Sequence, residues 1–493
     1  MREKGKGRGI SWSPTAGSAA RKTRRGCGME SYDLIVVGAG PGGSVAAMTA
    51  AEQGMKALML ERANYPGEKN ASGFALSSKG ERDFPFLKEV EFPSMRMGRR
   101  TQAHFLSPPP EMEEKFSMVT TTSRRIGYPE GRDYFVKTMY RPELDRYLAE
   151  RAVQKGAELK LKTLVTGMVW EAGKVSGVRV EGGEEYRAPV VIGADGVMSM
   201  TARMAGLREK FGRDEVVSLC TVDYAVPKER ADAVIHENCF QTYFAPGFGG
   251  LYLIVMADGV HVGGPGVTNS LVSRAVRKRI NPAKEVLQMI NCPPIQRQLT
   301  ALDARPREWQ AHMLPWMDQF NRRIYTGGFM LVGDAAGVPE PLWAEGVWQA
   351  MYSGRLAAQV AQEALQDGDT SASSLERYCD RLEQSPVGQE FIAGVQLRQL
   401  FEMLGDPVIF EEATDLLVDL SNNMLWNCQE PKAVSINRLF PILFENLPLL
   451  MGMLRVYAPI LLETGGENLR KRLEMIKGVA AMVSQMTGGE VGA

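Results

Sequence analysis

The sequence predicts an α/β chain: a Rossmann-like nucleotide-binding domain, an inserted antiparallel β-sheet domain and a helical C-terminal region. Three observations predict it. Gly38, Gly40 and Gly43 stand in G-x-G-x-x-G spacing directly after the apolar run Leu34 to Val37. Apolar–polar alternation over residues 212–310 then interrupts the parallel-strand style, which returns at Phe329–Ala336. From about Ser374 onward the pattern is helical.

The first element carries the most chemistry. Leu34 to Val37 reads as a buried strand, Ser44 to Gln53 as a helix with Gly54 as its C-cap, and Ala57 to Leu60 as a second strand. Glu61 closes that strand, twenty-one residues past Gly40. This is a dinucleotide-binding βαβ unit. The first glycine makes the tight turn, the second lets backbone approach a pyrophosphate, and the third lets helix pack on strand. Pro41 lies inside the turn, the helix N-terminus faces the phosphates, and Glu61, followed by Arg62, accepts from an adenosine ribose. A glutamate there suits an unphosphorylated ribose and disfavours NADP.

The remaining elements follow in order. Asn64 to Gly80 reads as a Gly/Ser/Asn-rich loop, and residues 92–138 as short β pieces broken by Pro108–Pro110. Arg141 and Pro142 open a helix, Glu143 to Lys155, with Leu144, Leu148 and Ala152 on one stripe. A hairpin follows, Leu164–Trp170 with Val175–Val180, then the buried strand at Val190 running into Asp195 and Gly196. Val216–Tyr224 and Leu251–Met256 alternate as antiparallel strands. A long helix runs from about Gly346 to Leu365. The domains expected are a basic, disordered tail (1–30), a discontinuous nucleotide domain (31–90, 140–210 and 325–375), a substrate sheet (91–139 and 211–324) and a helical region (376–493).

Composition bounds the function. The 493 residues hold 58 basic and 58 acidic side chains, which argues against a chain-wide nucleic-acid footprint. Residues 1–28 are the exception, with eight Lys/Arg and one acid, and no apolar segment of a secretory signal. The six cysteines (27, 220, 239, 292, 379, 428) lie far apart, so no metal site, cluster or disulfide framework is read from them; a reducing cytoplasmic setting is expected. No apolar run is long enough to span a bilayer. The stretch 438–462 is strongly apolar, but prolines 441, 448 and 459 and the charges Glu445 and Arg455 break it. It reads either as interfacial helices, placing the chain at the inner face of the cytoplasmic membrane, or as a cap on the core or an oligomer contact.

Three strand-end signatures stand in sequence: Gly38–Gly43 with Glu61, then Asp195–Gly196, then Gly333–Asp334. With them the chain resembles FAD oxidoreductases of the p-hydroxybenzoate-hydroxylase-like fold. That resemblance implies FAD, with Asp334 on the ribityl chain and Arg141 against the cofactor. The N-terminus of the long helix, the NH groups of Glu345, Gly346 and Val347, would stabilise charge on the flavin pyrimidine ring.

Within that superfamily, Gly67-Glu-Lys-Asn-Ala-Ser-Gly73, the helix from Arg141 to Ala152, Gln310–Pro315 and Gly333–Gly337 resemble FixC-like electron-transfer-flavoprotein:quinone oxidoreductases and their relatives, the geranylgeranyl reductases. The resemblance implies that Lys69, Asn70, Ser72 and Gly73 face the reactive side of the flavin. His312, one of four histidines, is added as a candidate. It further implies electron relay from an electron-transfer flavoprotein, with a ferredoxin-like partner, to a membrane quinone. The alternatives are saturation of isoprenoid double bonds, as in geranylgeranyl reductases, and a non-catalytic flavoprotein subunit. The chain departs from the FixC pattern at Phe74 and over Val338–Glu345, which leaves the acceptor open. Arg203 falls one residue late for an aromatic-hydroxylase signature.

Overall fold

The computed structural model describes residues 31–68, 73–121, 136–212, 215–245, 249–265, 281–342 and 344–404. The basic tail, Lys69, Asn70, Ser72, Trp343 and the apolar stretch 438–462 lie outside the described residues. The chain is α/β, and its first strand, Leu34–Val37, is buried along its whole length. It sits in a six-stranded sheet ordered Tyr325–Thr326, Phe329–Leu331, Val190–Gly193, Leu34–Val37, Ala57–Leu60, Glu158–Lys160. Every neighbouring pair is parallel except the first. Continuous aliphatic runs are what a parallel sheet covered on both faces requires.

Register aligns the ends of the strands. Val37 pairs with both Leu60 and Gly193, and Gly193 pairs with Leu331. Gly38, Glu61, Ala194–Asp195 and Val332–Gly333 therefore leave the sheet along one edge, where open α/β sheets take ligands. Two long helices, Pro41–Glu52 and Val347–Gln366, pack against each other closely. A Cβ on Gly354 would stand 2.1 Å from the carbonyl oxygen of Gly42, so only glycine permits that approach.

Several boundaries differ from the sequence reading. The first helix starts at Pro41, three residues earlier than expected, because proline at the first position needs no N–H partner. The helix after Tyr140 runs Arg141–Gln154, and the long helix starts at Val347. The expected loop 64–80 is only partly a loop: Gly73–Ser77 is a strand and Ser78–Asp83 a helix. That strand pairs with Val136–Tyr140, which also pairs with Arg96–Gly98. Of its five residues only Phe74 favours a strand, so the partner strand decides its conformation.

The second large sheet has seven strands, ordered Arg305–Pro315, Val216–Ala225, Gly259–Pro265, Gly249–Val255, Phe240–Ala245, Arg100–Leu106, Glu114–Thr121. It is antiparallel apart from the pair Phe240–Ala245 with Arg100–Leu106. Helices Pro282–Ile290 and Pro293–Ala301 cover one face through Val286, Ile290 and Ile295, packed with Cys220, Val222 and Val262. Helices Ala372–Gln384 and Pro386–Leu404 end the described chain as the sequence predicts. Among the described residues no helix is long and apolar enough to cross a membrane.

Candidate active site

The glycine turn is shaped as its spacing predicts. Gly38 has φ +104°, and a Cβ there would meet the Ala194 carbonyl oxygen at 2.4 Å. A Cβ on Gly43 would meet the Gly38 oxygen at 1.9 Å. Around the Cβ position of Gly40 there is nothing within 4 Å, so the backbone opens there onto free space. Helix Pro41–Glu52 has neither a side-chain cap nor an acid in its first turn. Its free N–H groups and positive dipole end face that space, the donor set a pyrophosphate needs. Glu61 borders it. One carboxylate oxygen accepts from Ala39 N at 2.9 Å and the other from Ala63 N at 2.8 Å. Each keeps lone-pair capacity for a hydroxyl. Arg62 is exposed.

Three side chains from separate elements meet at the next strand end. Asp334 lies in the short turn Gly333–Ala335 after Phe329–Leu331, His312 on the edge strand Arg305–Pro315, and Arg141 at the first position of its helix. Burial raises the Asp334 carboxyl above its usual range, while His312 and Arg141 pull it down. Burial holds His312 below its ordinary value; Asp334 opposes that and Arg141 adds to it. Arg141 is fixed by Asp145, which accepts from Nε and from a terminal nitrogen, each at 3.2 Å. The guanidinium also stands over the Phe74 ring, 5.6 Å from its centroid. Gly67 leans on this same helix start, with its Cβ position 2.9 Å from Pro142 Cα.

The long helix begins beside Asp334. The Cβ position of Gly346 is 3.4 Å from Asp334 Oδ1, and the helix has no side-chain cap and no acid in its first turn. A second uncapped dipole end thus opens on the same edge, with Val347 buried at its first position. Glu345, the residue before, turns its carboxylate to Lys79, 2.8 Å away, and Lys79 also holds Glu390 at 2.6 Å. Glu340 is fully buried and accepts from Leu342 N at 2.7 Å. Gly394 of the last helix passes within 2.1 Å of Glu340 Oε1 at its Cβ position. Glu340 and Glu345 are therefore tied to the last helix, the first by the close approach of Gly394 and the second through Lys79 and Glu390.

Asp195 takes an unexpected place. Its Oδ1 accepts from Ser199 Oγ and Thr201 Oγ1, each at 2.6 Å, and its Oδ2 from Thr201 N at 2.9 Å. Ser199 caps the short helix Met200–Met204 by accepting from Ala202 N at 3.0 Å. The carboxylate thus shapes the turn at the strand end. Beside His312 a mainly apolar recess of about 350 Å³ is bounded by Val197, Met198, Cys220, Ala283, Ala311 and Met313, with Ser218 and Asn281 at its polar side. Lys79 and Glu390 carried no signal in sequence, since their partners are remote, whereas Asp145 stands four residues after Arg141 on the expected helix, a spacing the sequence shows. No group of metal-ligating side chains occurs among the described residues.

The profile of the family described as FAD dependent oxidoreductase matches residues 33–246. A digeranylgeranylglycerophospholipid reductase of Methanopyrus kandleri is 30% identical over 387 residues, covering 76% of this chain and 88% of the relative. Its second copy in that organism is 33% identical over 358 residues, 72% of this chain and 86% of the relative. A geranylgeranyl bacteriochlorophyll reductase-like structure from Thermoplasma acidophilum superposes with TM-score 0.68 at 23% identity, over 86% of this chain and all of that one. A flavin-dependent brominase shares the fold at TM-score 0.58 and 17% identity, over 83% of this chain and 98% of that one. The protein is an FAD-dependent oxidoreductase. It belongs to the geranylgeranyl-reductase-like family. The FixC-like assignment gains nothing from these relatives, and three of the four loop residues that carried it lie outside the described residues.

Proposed function

We propose that the protein saturates isoprenoid double bonds of a prenylated lipid, using FAD. The observation that carries this is identity at or above 30%, over about three quarters of the chain, with proteins named as reductases of a geranylgeranylated lipid. The residues present fit the cofactor. The open space at Gly40 and the uncapped helix at Pro41 would take its pyrophosphate, and Glu61 its ribose hydroxyls. Asp334, with Arg141 beside it, would hold the ribityl chain. When bound, the flavin supplies the hydride of such a reduction.

The chain's own contribution is positioning and polarity. The N-terminus of Val347–Gln366 presents free N–H groups next to Asp334, where negative charge is stabilised without a cation. His312, held neutral by burial, adds no competing charge at that edge. The recess beside it is lined mainly by carbon, with Ser218 and Asn281 as polar members, a lining suited to a hydrocarbon chain. The Lys79 clamp fixes the residue that precedes the helix N-terminus, so the dipole end stays aimed.

The test is anaerobic. Reduced holoprotein is mixed with a digeranylgeranyl glycerophospholipid, and the lipid is weighed by mass spectrometry. Gain of two hydrogen atoms per double bond, with oxidation of the flavin, supports the reading. Unchanged lipid, together with rapid flavin oxidation by a quinone analogue, overturns it in favour of electron relay.

A further inference from the structure

Arg141 occupies a position that a cation does not ordinarily hold. It is the first residue of the helix Arg141–Gln154, where the dipole end is positive and disfavours a guanidinium. Asp145 supplies the compensating group from one turn along. Its side chain is 0% exposed, whereas that of Arg141 is 19% exposed. Nε donates to Oδ1 and Nη2 to Oδ2, each at 3.2 Å, a two-pronged geometry that a guanidinium makes and an ammonium does not. Cζ stands over the Phe74 ring. The guanidinium is thus held by one edge and one face, and Nη1 has no partner among the described residues.

Asp145 is itself walled in. Gly67 has φ +86°, and its Cβ position is 3.0 Å from Asp145 Cβ, 3.3 Å from Asp145 Oδ2 and 2.9 Å from Pro142 Cα. A side chain is excluded there twice, by the backbone conformation and by the contact. Gly67 therefore lies directly on the carboxylate. An exposed ion pair samples many arrangements, but one covered in this way keeps a single one. The charge of Arg141 is felt by both Asp334 and His312, so the fork is set at the same strand end as those two side chains.

We propose that Asp145 is a positioning residue of the cofactor site: it turns the Arg141 guanidinium so that Nη1 is presented, already oriented, to bound FAD. The inference rests on the cofactor reading of Asp334 and Arg141. A free arginine loses rotamer freedom when it meets a ligand; here that loss falls on folding instead. Asp145 offers no surface to a ligand, being 0% exposed, so it acts only through Arg141. Lysine at 141 would match the charge and not the role. An ammonium paired with Asp145 has no second, separately directed nitrogen to offer.

The experiment titrates FAD into the full chain stripped of flavin and reads the dissociation constant from flavin fluorescence. Wild type is compared with Asp145→Asn, Arg141→Met and the variant carrying both. Asp145→Asn is expected to weaken binding about tenfold when Arg141 is present and less than about twofold when it is gone. Equal factors in the two backgrounds would mean that Asp145 only supports the fold, and would overturn the proposal. Arg141→Lys keeps a cation beside Asp145 and gives a second, independent reading: it is expected to bind FAD as weakly as Arg141→Met. Wild-type affinity in Arg141→Lys, with weak binding in Arg141→Met, would show that charge suffices, which also overturns the oriented fork. Should both bind as wild type does, Arg141 leaves the cofactor site, and the cofactor reading of that residue falls together with the proposal.

Discussion

Lys79 donates to Glu345 at 2.8 Å across 266 residues of sequence, and the same ammonium reaches Glu390 at 2.6 Å. Lys79 and Glu390 are almost wholly buried, at 1% and 0% exposed. The pair ties the helix Ser78–Asp83 to the last described helix and fixes the residue before the long helix. The Trp348 ring, 5.4 Å from the ammonium, closes the cluster.

Removing one charge from such a cluster strands the others. Lys79→Met is expected to destabilise the protein by about 3–5 kcal/mol. Pairing it with Glu390→Leu should recover part of that loss, since the buried carboxylate goes too. Chemical denaturation of both variants checks this; a single variant as stable as wild type refutes the clamp.

Glu61 holds two backbone N–H groups of the turn and borders the open space at Gly40. Glu61→Ala should weaken FAD binding by about 1.5–3 kcal/mol, the range for a hydrogen bond to a charged group. Flavin retained after gel filtration, against free FAD titrated back, gives the number. Unchanged retention would remove Glu61 from the cofactor site.

Asp334 has a carboxyl raised by burial, so its ionised form opposes folding above that raised value and the penalty is relieved on acidification. Asp334→Asn should therefore raise the melting temperature of the apoprotein at pH 7 while lowering its affinity for FAD. Stability and function trade against each other at this residue. A variant that loses both, or keeps both, contradicts the assignment.

His312 gives the opposite sign. Its value is held below the ordinary 6.5, so the unfolded chain binds the proton more readily than the folded one. The contribution is complete above about 6.5 and is lost as pH falls through the window below it. The wild-type apoprotein should lose more stability between pH 7 and pH 5 than His312→Gln does. Parallel melting curves for the two across that range would show that the imidazole titrates freely.

Much of the candidate nucleotide site's geometry was legible because its determinants are local. The spacing of Gly38, Gly40 and Gly43, the aliphatic run before them and the acid at 61 all lie within one βαβ unit, and backbone sterics admit few other solutions. The return to a buried strand at Phe329 and the Gly333–Asp334 turn were legible for the same reason. Residues 64–80 were misread because Gly73–Ser77 becomes a strand only through its pairing with Val136–Tyr140. Asp195 was legible as a strand-end acid, but not its direction, which the hydroxyls of Ser199 and Thr201 fix. Family membership within the superfamily was shown by whole-chain similarity, because a seven-residue loop is too short to separate one branch from another.

By itself the sequence determined a Rossmann-like sheet, an inserted antiparallel sheet and an FAD-type turn, since periodicity and glycine spacing act over short range. Tertiary structure alone brought Arg141, His312 and Asp334 to one edge, held Glu345 through Lys79, and set His261 against Asp223. Those relationships depend on which strands become neighbours and which charges lose water together, and neither is a property of any single stretch of chain.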